Sequence, residues 1–240
     1  MGDIETIVMY TSAAGACIPL GGLLARLEHI RPKWLENEFR HFIIALGGGV
    51  LLAAVTFILV PEGMAYLSGP VDTVLFFLAG GISFFLFEFI SGLRRRESPQ
   101  MIAMLLDYIP ESLALGGVFA AGSGTAPLLA LFIGLQNLPE SFNVYRELIA
   151  IEGAQSRRIL LLMCSFIPLG PVFGLIGWVF LSEHIYSLGA IMLFASGGIL
   201  YLIFQDIAPQ SKLKRHWAPP LGAVLGFSVG MIGHLWIDSI

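Results

Sequence analysis

Runs of about twenty mostly apolar residues follow one another along this chain with little between them, and that is the length an α-helix needs to cross a bilayer. Eight are delimited: Ile4–Leu24, Phe42–Leu67, Val71–Leu93, Met101–Ala121, Ala126–Ile149, Ile159–Leu181, Ser187–Pro209 and Pro219–Ile240. Only 12% of the residues are charged, against about 25% in ordinary soluble domains, while 56% are hydrophobic and the mean hydropathy is +0.82. The expected fold is all-α: residues 1–240 form one polytopic membrane bundle of eight transmembrane helices, with nothing left over for a soluble domain.

The placement of charge orients that bundle. The 13 Lys and Arg residues fall into four groups: Arg26, Arg31, Lys33 and Arg40; Arg94 to Arg96; Arg146, Arg157 and Arg158; and Lys212, Lys214 and Arg215. These groups follow predicted helices 1, 3, 5 and 7, and the alternate connections carry none. By the positive-inside rule the basic connections face the cytoplasm and both termini lie outside. No cleavable signal peptide is expected, since Asp3 and Glu5 precede the first basic residue, Arg26. Residues 25–40 read as a cytoplasmic loop, and the short outer connections make successive helices antiparallel neighbours. Cys17 and Cys164 read as small packing residues.

Two related segments break the apolar pattern. Predicted helix 4 contains Asp107-Tyr108-Ile109-Pro110-Glu111-Ser112, and predicted helix 5 contains Gln136-Asn137-Leu138-Pro139-Glu140-Ser141. Ionisable side chains within a membrane are costly and mark ion or substrate pathways. Residues i and i+4 share a helix face, so Asp107 pairs with Glu111 and Gln136 with Glu140. Each proline removes a donor and frees the carbonyl four residues back, at Leu106 and Leu135. Helices 4 and 5 lie antiparallel, which brings three carboxylates and an amide to one depth. Three carboxylates in a low-dielectric site need either protons or a cation among them. Oxygen ligands suit hard or borderline divalent ions. The polar face continues along helix 5 through Asn143 and Glu147, either as a descending exit path or as an interfacial stripe.

Taken together these motifs resemble the ZIP family of divalent-metal transporters. That family's helix 4 carries His-Asn-x-Pro-Glu-Gly, and its prokaryotic branches show Gln-Asn-x-Pro-Glu-Gly on helix 5, matched here by Gln136, Asn137, Pro139 and Glu140. The resemblance implies secondary transport of zinc, iron or manganese into the cytoplasm across a prokaryotic cytoplasmic membrane. Asp107, Glu111, Gln136 and Glu140 would be the metal ligands, and Asn137, Asn143, Glu147 and Asp206 candidate pathway residues. The metal is cargo; no cofactor and no enzymatic activity are implied. The other partners are membrane lipids and, as one assembly open to such a chain, a second copy in a homodimer, with no nucleic acid.

Departures from the family pattern carry their own implications. Asp107 replaces the histidine, and Ser112 and Ser141 replace glycines. Tyr108 stands where an asparagine ligand of an adjoining second metal would be, and Asn137 where an acid would be. One oxygen-rich site, less selective for zinc, is therefore expected. Two other function classes remain open on these residues: a metal-dependent intramembrane enzyme, with Ser112 or Tyr108 as its reacting group, and a transport-inactive relative acting as metal sensor or structural partner.

Weaker signals complete the reading. Helix 2 carries Gly48-Gly49 and later Pro61-Glu62, and helix 7 carries Gly197-Gly198 and later Pro209-Gln210. The two helices run in opposite senses, which suits an inverted repeat of helices 1–3 and 6–8 around helices 4–5, rocking about a fixed site. Asp206 reads either as an exit-path ligand or as a partner of Lys212, Glu88 as half of an inner-end ion pair near Arg94, and Glu62 and Asp72 as solvated charges. The five histidines lack metal-ligand spacing.

Overall fold

The structure, a computed structural model, describes residues 3–28, 33–94, 99–152, 155–212 and 218–237. Arg31, Arg95, Arg96, Lys214, Arg215, His29, His216 and the last three residues of the eighth predicted span lie outside the described residues. Among those described, every regular element is helical and no strand occurs.

Helix α1 is Asp3–Glu28, with Asp3 and Glu5 in its first turn and Arg26 in its last, a charge order that complements the helix dipole. Helix α2 comprises Lys33–Ala54, a π-helical stretch Val55–Leu59, and Val60–Tyr66. Helices α3, Pro70–Arg94, and α4, Pro99–Ala120, both begin on a proline, whose missing N–H is harmless there. Helix α5 is Ala126–Glu152. Helix α6 is broken near Pro168 into Ser156–Phe166 and Leu169–Leu181. Helix α7 comprises Ile185–Leu202, a second π-helical stretch Ile203–Ile207, and Ala208–Gln210; α8 is Leu221–Ile237.

Six of these rods are long and apolar enough to cross a membrane, namely those spanning Asp3–Leu27, Glu38–Tyr66, Pro70–Ile90, Gln100–Ala120, Ser156–Leu181 and Ile185–Gln210. The apolar α8 is shorter, and α5 does not qualify because its middle carries the polar motif. The predicted loop over residues 25–40 contracts: α1 continues to Glu28 and α2 starts at Lys33. Hydropathy marks where apolar side chains begin, whereas Lys, Glu and Arg continue a helix readily.

The π-helical stretches share one cause. A proline clashes with the carbonyl four residues back. Pro61 and Pro209 each follow their π stretch by the same offset, and the bonds widen to i→i−5 at Val60 N–H to Val55 O and Ala208 N–H to Ile203 O. Pro110 and Pro139, by contrast, sit inside helices assigned α throughout.

Packing divides the helices into two groups. In one, α1 lies on α5 and α6, and α4 lies on α6 and α5. In the other, α2 lies on α8, α3 lies on α7, and the last turns of α2 also meet α7. The groups meet where α2 touches α5 and where α4 touches α7. Glycines set the closest approaches: Gly49 faces the backbone of Ala223, Gly80 that of Phe194, Gly197 that of Phe77, and Gly116 that of Gly174. Membrane helices associate through such small-residue contacts because lipid is as apolar as leucine. Replacing Gly197 by leucine is expected to destabilise the protein by about 2 kcal/mol, within the range for overpacking. Gly69→Ala and Gly124→Ala, at positions with open space around them, are expected to stay within about 0.5 kcal/mol. Unfolding midpoints in detergent check both.

Candidate functional site

The α4–α5 seam collects most of the buried polar residues among those described. Asp107 is 3% exposed, and Glu111, Gln136 and Asn137 are fully buried; Glu140 is partly buried beside them. The i, i+4 spacing works as the sequence predicts: Asp107 and Glu111 look from α4 toward Gln136 and Glu140 on α5. Gln136 Nε2 donates to Glu111 Oε2, and the carboxylates of Asp107 and Glu140 face each other. Asp107 Oδ1 also accepts the Tyr108 N–H at 2.7 Å. The four predicted ligands are thus brought together as two couples, Glu111 with Gln136 and Asp107 with Glu140. Among the described residues, no group of three or more His, Cys, Asp or Glu side chains is drawn close enough to hold a metal ion. A bound cation would have to draw the two couples together.

The seam leaves acceptors without donors. Glu111 Oε1, Gln136 Oε1, Asn137 Oδ1, Glu140 Oε2 and Asn143 Oδ1 are buried and take no hydrogen bond from the protein. An unsatisfied buried polar group costs about 1–3 kcal/mol, and the oxygens of Glu111, Gln136 and Glu140 belong to the two facing motifs. Protons on the carboxylates or a cation among them would answer such oxygens.

Asn137 and Tyr108 point elsewhere. Asn137 Nδ2 donates to the Ala14 carbonyl of α1 at 3.0 Å, which ties it to helix packing. The Tyr108 hydroxyl reaches a slot beside Gly15 of α1 and Gly170 of α6, where any larger side chain would collide with it. The phenol therefore occupies the space between α1, α4 and α6.

From Asp107 and Glu140 a cleft descends between the two helix groups. Its α4–α5 side carries Asn143 and Gln100, and its opposite wall is apolar, with Leu51 of α2 and Ile199 and Leu202 of α7. Asp206 and Gln210 line its far end. There Gln100 Nε2 donates to Gln210 Oε1 at 2.9 Å, and the Gln100 N–H donates to Glu147 Oε2 at 3.2 Å. Asn143, Glu147 and Asp206 thus lie along one descending line, with Asn143 and Asp206 on the cleft wall itself. Asp206 stands near Glu88 and Glu147, and Glu88 accepts the Tyr201 hydroxyl at 2.5 Å. The side chain of Arg94 lies outside the described residues. Gln100 and Gln210 are the members of this region that sequence reading missed, and Glu88, read toward Arg94, meets Tyr201. No local signal announces them, because they are joined only by the packing of α3 and α4 on α7.

The Glu111–Gln136 couple is open to a direct test. Gln136→Leu leaves a buried carboxylate without its donor and is expected to cost about 3 kcal/mol. The Glu111→Leu/Gln136→Leu double variant removes both needs and is expected to recover most of that loss. Denaturant unfolding of the purified protein in detergent measures the cycle; a double variant no more stable than the single one contradicts the coupling. No protein-family model matches the chain, and no curated protein matches it.

Proposed function

We propose that this protein is a ZIP-like secondary transporter that carries a divalent metal cation, zinc, iron or manganese, into the cytoplasm without ATP. The observation that carries the reading is the pair of facing couples at the head of the cleft, with carboxylate and amide oxygens that find no donor in the protein. A purely structural seam would satisfy its own acceptors. The cargo is bound by Asp107, Glu111, Gln136 and Glu140, a set without imidazole or thiolate, which favours harder ions over zinc. It leaves by way of Asn143 toward Asp206 and Glu147.

In this reading all eight rods span the membrane, with both termini outside. The burial of most of the α5 motif supports its inclusion, since its polar side chains need not meet lipid. At 17 residues, α8 rises about 25 Å, near the hydrocarbon thickness of about 30 Å. The inverted repeat is supported by the packing pairs, which interchange when helices 1, 2, 3 and 4 are swapped for 6, 7, 8 and 5. The matching π stretches before Pro61 and Pro209 support it too. Each packing group draws helices from both repeats. The moving unit is therefore a group, with α1, α4, α5 and α6 carrying the cargo past the apolar wall of α2 and α7, rather than one repeat rocking on the other.

Uptake of Mn²⁺, Fe²⁺ and Zn²⁺ into proteoliposomes tests the proposal. The wild type is expected to accumulate metal, and Glu111→Ala and Glu140→Ala to lose uptake by about tenfold or more, the loss of one charged ligand interaction. The same ions are expected to raise the melting temperature of the wild type and not of these variants. Because no three potential ligands of the kind His, Cys, Asp or Glu are drawn close enough to hold an ion among the described residues, a transport-inactive metal-binding relative is the second reading. Stabilisation by metal without uptake would favour it, and neither effect would overturn both.

A further inference from the structure

At the end of the molecule opposite the cleft mouth, the two helix groups are pinned by a carboxylate. Glu62 Oε1, on the last turns of α2, accepts the hydroxyls of Ser123 and Thr125, both at 2.8 Å. These hydroxyls also lie 2.9 Å from each other. Ser123 and Thr125 belong to the α4–α5 turn, so the bonds run from one helix group to the other.

Both sides of this contact are held in place. Gly63, next to Glu62, packs against Gly189 and Leu193 of α7, seating the end of α2 on its own group. Tyr66, one turn on, faces the same carboxylate. The turn is shaped by Gly122 at φ 70°, with Ser123 N–H bonded to Val118 O at 3.2 Å and Gly122 N–H to Phe119 O at 3.1 Å. That closure satisfies carbonyls at the α4 C-terminus. Glu62 is thus not the solvated charge its position beside a loop implies.

We propose that Glu62, Ser123 and Thr125 form a latch that holds the two helix groups together at this end and whose release opens the α4–α5 site there. At the cleft mouth one amide bond between the groups runs from Gln100 to Gln210. At the latch two hydroxyls serve a carboxylate, and bonds to charged groups are worth about twice a neutral one. The inference rests on the transport reading for its direction: the latched end is the outer one, and a cation arriving there competes with the hydroxyls for Glu62.

Spin labels on Gly69→Cys and Gly124→Cys, both at positions with open space around them, measure the gap between the groups. The measurement uses the full chain in lipid nanodiscs, with Cys17 and Cys164 replaced by alanine. The parent is expected to give one dominant distance. Glu62→Ala, and separately Ser123→Ala/Thr125→Val, are each expected to raise a longer-distance population about tenfold. Unchanged distributions in both would overturn the latch. Opening in Glu62→Ala alone would overturn it as well, since the hydroxyls would not be its other half. Opening in both without metal uptake by the wild type would leave the latch standing and remove the transport reading.

Discussion

A carboxylate carried into the interior of an apolar bundle has to be solvated by something, and the α4–α5 seam is arranged around that need. Glu111 is met by the amide of Gln136, and Asp107 is set against Glu140. Each arrangement answers one oxygen and leaves others without a donor. Desolvation of a charge costs several kcal/mol and is offset only when partners surround it. Close backbone approach at glycines, from Gly116 against Gly174 to Gly21 against Leu138, packs the surrounding helices densely.

The same packing decides how the site communicates with either end. Polar residues run down one side of the cleft, and Leu51, Ile199 and Leu202 form the other. Asp206 and Gln210 of α7 return polar groups to that second side at the far end. The wall helices carry the π-helical stretches, where the backbone has already departed from the regular α bonding pattern ahead of Pro61 and Pro209. Such irregular backbone is tolerated at membrane depth only where protein or a cavity surrounds it. In α7 it places Asp206 on the cleft; in α2 it lies just before Glu62.

Much of the site was legible because helical spacing is a strong constraint. Two residues four apart share a face in any helix, so Asp107 with Glu111 and Gln136 with Glu140 follow once both segments are helical and adjacent. The same rule carried Asn143 and Glu147 down α5 toward the cleft mouth. It failed where partners come from distant elements. Nothing in the neighbourhood of Glu62 announces Ser123 and Thr125, and nothing near Asp206 announces Glu88 rather than Lys212. Asn137 also looked like a pathway residue by its place in the motif. It turns one helical step away from Gln136, however, and that step points it at Ala14. Loop limits failed for a different reason: charged residues after Pro32 lengthen α2 without adding apolarity.

The sequence by itself determined the helical character, the antiparallel course of neighbouring rods and the facing of the two motif copies, because each follows from backbone hydrogen bonding and the 3.6-residue turn. Only the tertiary structure decided which oxygens found donors, that Tyr108 fills the slot between Gly15 and Gly170, and that helices 1, 4, 5 and 6 form one group against 2, 3, 7 and 8. Those outcomes depend on how closely two backbones approach at a glycine and on the crossing of helices far apart in the chain. Local spacing contains neither quantity.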